Sequence, residues 1–253
     1  MSTRPERYSD IFRLRGAAYD AAMTDWPQAL EEEVDYLVDL LDLVAGERVL
    51  DLGAAGGYLA PAVSARNAAY TCVDSSEVLN GFAQQRGLDA HLSPLQALPF
   101  KAQHFDALVA QAALHHETEW NTIFCEARRV AKPGARLVVG EVAEGSPVAG
   151  FLDVFVDRHN PLGHSGRFAN DAFVDAIREA GWTIRSDFRR EYCWRCPSRS
   201  ALLAFLSRLF YMPALDEAAL IEGIHEHLGG LRESPDGVCM PWGMRVIVAH
   251  NPA

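Results

Sequence analysis

The chain has 253 residues, 49% of them hydrophobic, with a formal net charge of −11. That is enough apolar chain for a packed α/β domain and excludes a disordered one, while the negative charge works against nucleic acid or anionic membrane as a partner. No apolar run approaches the length of a membrane span, and MSTRPERYSD lacks a hydrophobic signal core, so a cytoplasmic protein without membrane contact is expected.

In chain order, Tyr8, Phe12, Arg15 and Tyr19 fall on one helical face. LEEEVDYLVDLLDLV follows, with Leu30, Val34, Leu37, Val38, Leu41 and Val44 on one face and Gly46 as a stop. RVLDL is a short apolar strand, and a helix is expected from about Gly56 to Arg66, with Pro61 in its first turns. AYTCVD reads as a second strand, Ser75 or Ser76 caps the next helix, and Gly87 ends it. DAHLS is a weak third strand. FDALVAQ is a fourth whose unbroken apolar run suits burial on both faces. A helix over 118–131 closes at KPG, and ARLVVGE is the fifth strand. Strands alternating with helices predict parallel βαβ units in a doubly wound sheet.

The last hundred residues break this rhythm. A helix over 171–180 is capped by Asn170 and stopped by Gly181, and WTIRSDFRREYCW is strand-like. Helices over 199–211 and 217–228 precede a last strand, WGMRVIVAH. A helical insertion between the last two strands, at 195–237, is therefore expected to serve as a lid or a dimer contact. One domain over 1–253 is expected, with 1–27 as an N-terminal cap segment and 28–194 plus 238–253 as its core.

The densest glycine cluster is VLDLGAAGGYL, from Val49 to Leu59. Bare backbone directly after a buried strand implies a close approach. In an open parallel sheet, ligands bind beyond the carboxyl ends of the strands, where helix N-termini offer unpaired N–H groups. Asp74 ends the second strand, where a carboxylate can accept both hydroxyls of a ribose. The order Asp51-Leu-Gly53-Ala-Ala55-Gly-Gly57 does not fit G-x-G-x-x-G, which argues against a dinucleotide.

This stretch resembles D-x-G-x-G-x-G, the first motif of the class I S-adenosylmethionine-dependent methyltransferases. YTCVDSSEVL resembles their second motif, LQALPF with FDALVAQAALHH the third and fourth, and RRVAKPGARLVVGE the segment through the fifth strand. The resemblance covers residues 47–142; beyond it only FANDAFVDAIREAGW matches, loosely. It implies a Rossmann-like doubly wound, mostly parallel seven-stranded sheet with helices on both faces, and S-adenosyl-L-methionine as cofactor. Gly53, Ala55 and Gly57 would pass beneath the cofactor's methionine part, and Asp51 would help hold its amino group. Asp74, followed by Ser75, would bind the ribose; Leu95 would pack on the adenine; Gln111 would line the methionine end. Two departures stand out. Ala55 replaces the middle glycine, and Pro94 stands where many relatives have an acid facing the adenine amino group.

Methyl transfer from a sulfonium needs alignment, exclusion of water and, for some acceptors, a base. His115 and His116 follow the fourth strand directly, and an imidazole can take a proton near neutral pH. One of the two is expected to face the acceptor, with Glu117 able to hold His116; Glu141, at the end of the fifth strand, is the third catalytic candidate. The same residues have plainer readings, as a packed histidine pair and a solvated strand end. Phe12, Tyr19, Tyr192 and Trp194 are candidate walls, as is Phe155. His159 and Asn160, in the polar cluster DRHNPLGHSGRF at 157–168, complete the substrate candidates.

Cys193-Trp-Arg-Cys196 has no second pair to make a zinc site, even with His225 and His227, so no metal is expected. Five scattered cysteines fit reduced thiols. The partner expected is a small molecule, and the chain a monomer or homodimer. Two alternatives stay open: cyclisation of the cofactor's own side chain, and cofactor binding without catalysis.

Overall fold

A computed structural model describes residues 8–164 and 166–252; residues 1–7 of the expected cap segment lie outside them. Helix α1 (Tyr8–Asp25) and helix α2 (Glu31–Asp39) precede the sheet. Because α2 stops at Asp39, Val44 lies beyond the buried stripe and is 65% exposed, whereas Leu37, Val38 and Leu41 are fully buried. Strand β1 (Arg48–Leu52) is buried from Val49 onward, as a parallel strand covered on both faces must be. The following helix, α3 (Ala60–Ala65), begins four residues later than the sequence suggests. Ala55 at φ +50° and Gly57 at φ +79° are left-handed and cannot join a right-handed helix. Pro61 then sits in its first turn, where its missing N–H costs nothing.

Next come β2 (Ala69–Asp74), α4 (Glu77–Gln85) and β3 (Asp89–Leu92). Ser76 is the cap, accepting from the Leu79 amide at 3.3 Å. Strand β4 (Phe105–Gln111) leads to α5 (Trp120–Val130), which passes directly into β5 (Ala131–Glu141). Lys132-Pro133-Gly134 thus lies inside the strand, opposite a register shift between Phe105 and Ala107.

The segment after β5, to which the sequence assigned no element, is helical. It runs through α6 (Pro147–Gly150), a π-helical stretch (Phe151–Val156) and α7 (Asp157–His159). Ser146 caps it, accepting from the Ala149 amide at 3.1 Å. Helix α8 (Asp171–Glu179) is capped by Asn170 as expected. The chain ends with β6 (Thr183–Cys196), α9 (Arg199–Leu209), α10 (Glu217–Leu228), β7 (Arg232–Ser234) and β8 (Gly237–His250).

The sheet order is β3-β2-β1-β4-β5-β8-β6, with β1 to β5 parallel and β8 antiparallel to both β5 and β6. The sheet has eight strands rather than seven, because the Pro235-Asp236 turn folds β7 back onto β8. Cys193 and Cys239, diagonal neighbours on β6 and β8, have Cα atoms 5.4 Å apart and are joined as a disulfide. Sequence spacing alone could not show that proximity. Helix α1 packs on α4 and α9, so the cap and the insertion meet across the molecule.

Candidate active site

The strand order turns between β1 and β4, and the crevice this creates lies beyond their carboxyl ends. A cavity opens there, lined by Asp51 and Gly53 from the end of β1 and by Gln111 and Ala113 from the end of β4. A narrower recess shares Tyr8, Gly53 and Ala113 with it and reaches Asp74, Ser75 and Leu95.

The glycine turn is shaped first by its protein neighbours. A Cβ on Gly53, at φ +71°, would stand 2.6 Å from the Ala113 Cβ. A Cβ on Gly57 would stand 2.3 Å from Leu88 Cδ1, so this glycine serves packing and does not line the cavity as expected. Ala55 takes the middle position in a left-handed conformation, at a cost of roughly 1–2 kcal/mol. Its amide donates to Asp74 Oδ2 at 2.8 Å. The Ser76 amide donates to Asp74 Oδ1 at 2.7 Å, and the Tyr8 hydroxyl stands 3.4 Å from Oδ2. Burial raises the Asp74 carboxyl to about 6 against these hydrogen bonds. Glu117 lines the same recess and accepts from Gln96 Nε2 at 2.7 Å. It brings an acid to the end where Pro94 withholds one.

Two further carboxylates form the floor. Asp51 accepts from the Tyr70 hydroxyl at 2.6 Å, and burial pushes it up to about 7. Glu33, on α2, accepts from Gln111 Nε2 at 2.7 Å and Trp194 Nε1 at 2.8 Å. Burial pushes Glu33 to about 7 as well. It joins β4 to β6 at the cavity, and the sequence reading passed over it. The signal was present, since an acid between Leu30 and Leu37 lies in an otherwise apolar stripe.

On the other side stand three imidazoles. His115 Nδ1 lies 2.9 Å from Glu141 Oε2, while Glu141 Oε1 accepts from the Ala113 amide at 2.8 Å and from the Leu114 amide. Glu141 is fully buried and does not line the cavity. It is a positioning residue for His115 and the loop, not a group that reaches a reactant. His115 thus turns Nδ1 to the Glu141 carboxyl and leaves Nε2 on the other edge of its ring. His115 and His116 have ring centroids 4.0 Å apart, and both line the cavity, where only one was expected to. The ring centroid of His164 is 6.1 Å from each. Burial lowers His164 to about 3, which keeps it neutral.

The remaining wall is aromatic. Trp194 stacks on Trp242 at 4.0 Å, with Phe210 beside them, and Phe12 and Tyr19 descend from α1. Four wall candidates fall elsewhere. Tyr192 packs on Tyr36 at 6.0 Å. His159 and Phe155 lie ring to ring at 4.6 Å, and Asn160 Oδ1 accepts from the Leu162 amide at 2.8 Å. Helix formation through His159 carries these residues from the cavity, and His164, after the turn, takes the place expected of them.

Residues 50–139 match the family described as "Methyltransferase domain". The demethylmenaquinone methyltransferase of Tropheryma whipplei is 36% identical over 107 residues, which is 40% of this chain and 44% of that protein. The 27-O-demethylrifamycin SV methyltransferase of Amycolatopsis mediterranei is 28% identical over 167 residues, covering 61% of this chain and 60% of that one. The chain spans about half the length of the curated relatives it matches. In fold it resembles the [4+2]-cyclase SpnF, with a TM-score of 0.65 over 100% of both chains at 20% identity. Residues 50–139 thus carry a methyltransferase-domain match, and the strand order around them is that of a Rossmann-like sheet.

Proposed function

We propose that the chain binds S-adenosyl-L-methionine and transfers its methyl group to a small molecule with a largely apolar body. The observation that carries this reading is a single cavity lined both by the Gly53 turn and by His115, which Glu141 holds from behind. The residues fit the cofactor. Asp74 is fixed by two backbone amides and keeps lone pairs for a ribose, with Leu95 and Glu117 beyond it for an adenine. Asp51, Gln111 and Glu33 form an acidic surround for the methionine end, suited to an ammonium and a sulfonium.

When bound, the cofactor supplies a methyl activated by the positive sulfur, which leaves as a neutral thioether. The chain's part is alignment and proton management. Stacked Trp194 and Trp242 hold the acceptor's apolar body, and Phe12 and Tyr19 exclude water from above. Where the attacking atom carries a proton, His115 takes it at Nε2, and the Glu141 carboxylate holds the resulting imidazolium. The names of the two methyltransferase relatives, both acting on small molecules, support the substrate class.

Helix α1 and the α9–α10 insertion act as the cap of this site, since Tyr8, Phe12 and Tyr19 on one and Leu209 on the other line the cavity. Among the described residues no helix is long and apolar enough to cross a membrane. The cytoplasmic location rests on the sequence.

The test is incubation of purified protein with methyl-labelled S-adenosylmethionine and small-molecule extracts, followed by mass spectrometry. Labelled product together with S-adenosylhomocysteine is expected. Conversion of the cofactor without any acceptor would replace this reading with cyclisation, and binding without turnover would leave a cofactor-binding protein.

A further inference from the structure

The cavity is electrically divided. Its lining holds two acids, Glu33 and Asp51, and a basic group of Arg15, His115, His116 and His164, within which His164 feels the charges of Arg15 and His115. The carboxylates of the floor have donors: Tyr70 for Asp51, and Gln111 and Trp194 for Glu33. The cation has none. Among the described residues Arg15 makes no hydrogen bond and no ion pair, and its Nε is buried without a partner. Its guanidinium lies over the Phe12 ring at 4.6 Å and near the Tyr19 ring at 5.8 Å. Tyrosines, not carboxylates, are the titratable groups facing it from α1, and His164 feels its charge from the other side. A guanidinium partly removed from water, with its Nε buried and unpaired, is costly, and aromatic faces repay only part of that cost. An arrangement of this kind is complete only when an anion enters.

On the methyl-transfer reading, we propose that the acceptor is an acid, held by its carboxylate against Arg15 beside His115 and His164, with a flat apolar body lying on Trp194 and Trp242. The carboxylate is the anchor and is not itself methylated; the nucleophile is a separate group presented to His115. A ligand carboxylate could also come from the cofactor's methionine. The charge pattern favours the acceptor, because Arg15 acts on His164 and no carboxylate is among the groups that act on Arg15.

The test uses a pair of probes that differ in charge, 2-naphthoate and 2-naphthamide. Each is titrated against tryptophan fluorescence into the protein loaded with S-adenosylhomocysteine and into the unloaded protein. Loaded wild type should bind the naphthoate at least tenfold more tightly than the amide. Arg15→Met should remove that preference, Arg15→Lys should keep part of it, and both should bind S-adenosylhomocysteine within about twofold of wild type. Equal affinity for the two probes in wild type would overturn the proposal. So would an Arg15→Met variant that loses S-adenosylhomocysteine tenfold but binds its decarboxylated analogue normally, since Arg15 would then serve the cofactor. Failure of wild type to bind S-adenosylhomocysteine would strike the methyl-transfer reading instead, and the probe pair in unloaded protein would still read the anion preference.

Discussion

The two ends of the cavity are built in different ways. The cofactor end uses backbone and short side chains from consecutive strand ends: Gly53 and Ala55 after β1, and Asp74 and Ser76 after β2. The acceptor end is assembled from long side chains on remote segments: Arg15 and Tyr19 from α1, His164 from the turn before α8, Trp194 from β6 and Trp242 from β8. The first can be rigid and general, because amides and one carboxylate recognise a ligand common to many enzymes. The second can change one side chain at a time without disturbing the sheet. Substitutions at the two ends should therefore separate cofactor affinity from turnover.

The largest effect should fall on turnover alone. His115→Ala removes the group that Glu141 orients, and a general base is worth about 10²–10⁴-fold in rate. Steady-state kinetics should show that loss while cofactor affinity, measured by calorimetry, stays within a few-fold. Turnover near the parent value would mean the histidines only shape the pocket. Glu141→Gln should also slow turnover, though less, because the amide oxygen can still accept from the loop amides.

At the cofactor end, Gly53→Val should abolish binding, by at least about a hundredfold, or about 2.7 kcal/mol. The variant should also be less stable, because its new side chain meets Ala113 before any ligand does. A variant with normal circular dichroism and normal affinity would place the cofactor elsewhere. Asp74→Asn should have a smaller effect. It keeps one acceptor oxygen for a backbone amide but loses the charge, and affinity should fall about tenfold, or about 1.4 kcal/mol. Unchanged affinity would remove Asp74 from the ribose site.

The difference between the ends also decides what could be read from the sequence. Asp51, Gly53, Asp74 and Gln111 lie within a continuous stretch whose geometry depends on local backbone, so spacing was sufficient to bring them to one crevice. Gly57 was misjudged because its neighbour Leu88 comes from another strand-helix unit. Phe12, Tyr19 and Trp194, chosen by residue type, line the cavity, but His159, Asn160 and Tyr192, chosen in the same way, do not. That separation depends on where a helix ends and which neighbour a ring meets, as with Tyr192 on Tyr36. Glu33 and Arg15 gain their importance from burial without a matching charge, which only the packed chain reveals.

The smallest effect is the most specific to the divided cavity. Burial holds Glu33 and Asp51 at about 7, so near that pH each is about half protonated in the folded protein. For Glu33 the raised value means that folding binds protons. Its stability contribution is full below about 4.5, the ordinary value, and is lost as pH rises to about 7. A cation arriving on the floor favours the charged forms and should expel those protons. Calorimetry at pH 7 in two buffers of different ionisation enthalpy should therefore show release of about half a proton per carboxylate when S-adenosylmethionine binds. Glu33→Gln should lower the release by that amount and flatten the loss of stability between pH 5 and 7, shifting it by about 1–3 kcal/mol. It should leave the proton released by Asp51 in place, because Tyr70, not Gln111, holds that carboxyl. Proton uptake, or no linkage at all, would show that the cationic part of the cofactor does not rest on this floor, and the electrical division of the cavity would lose its function.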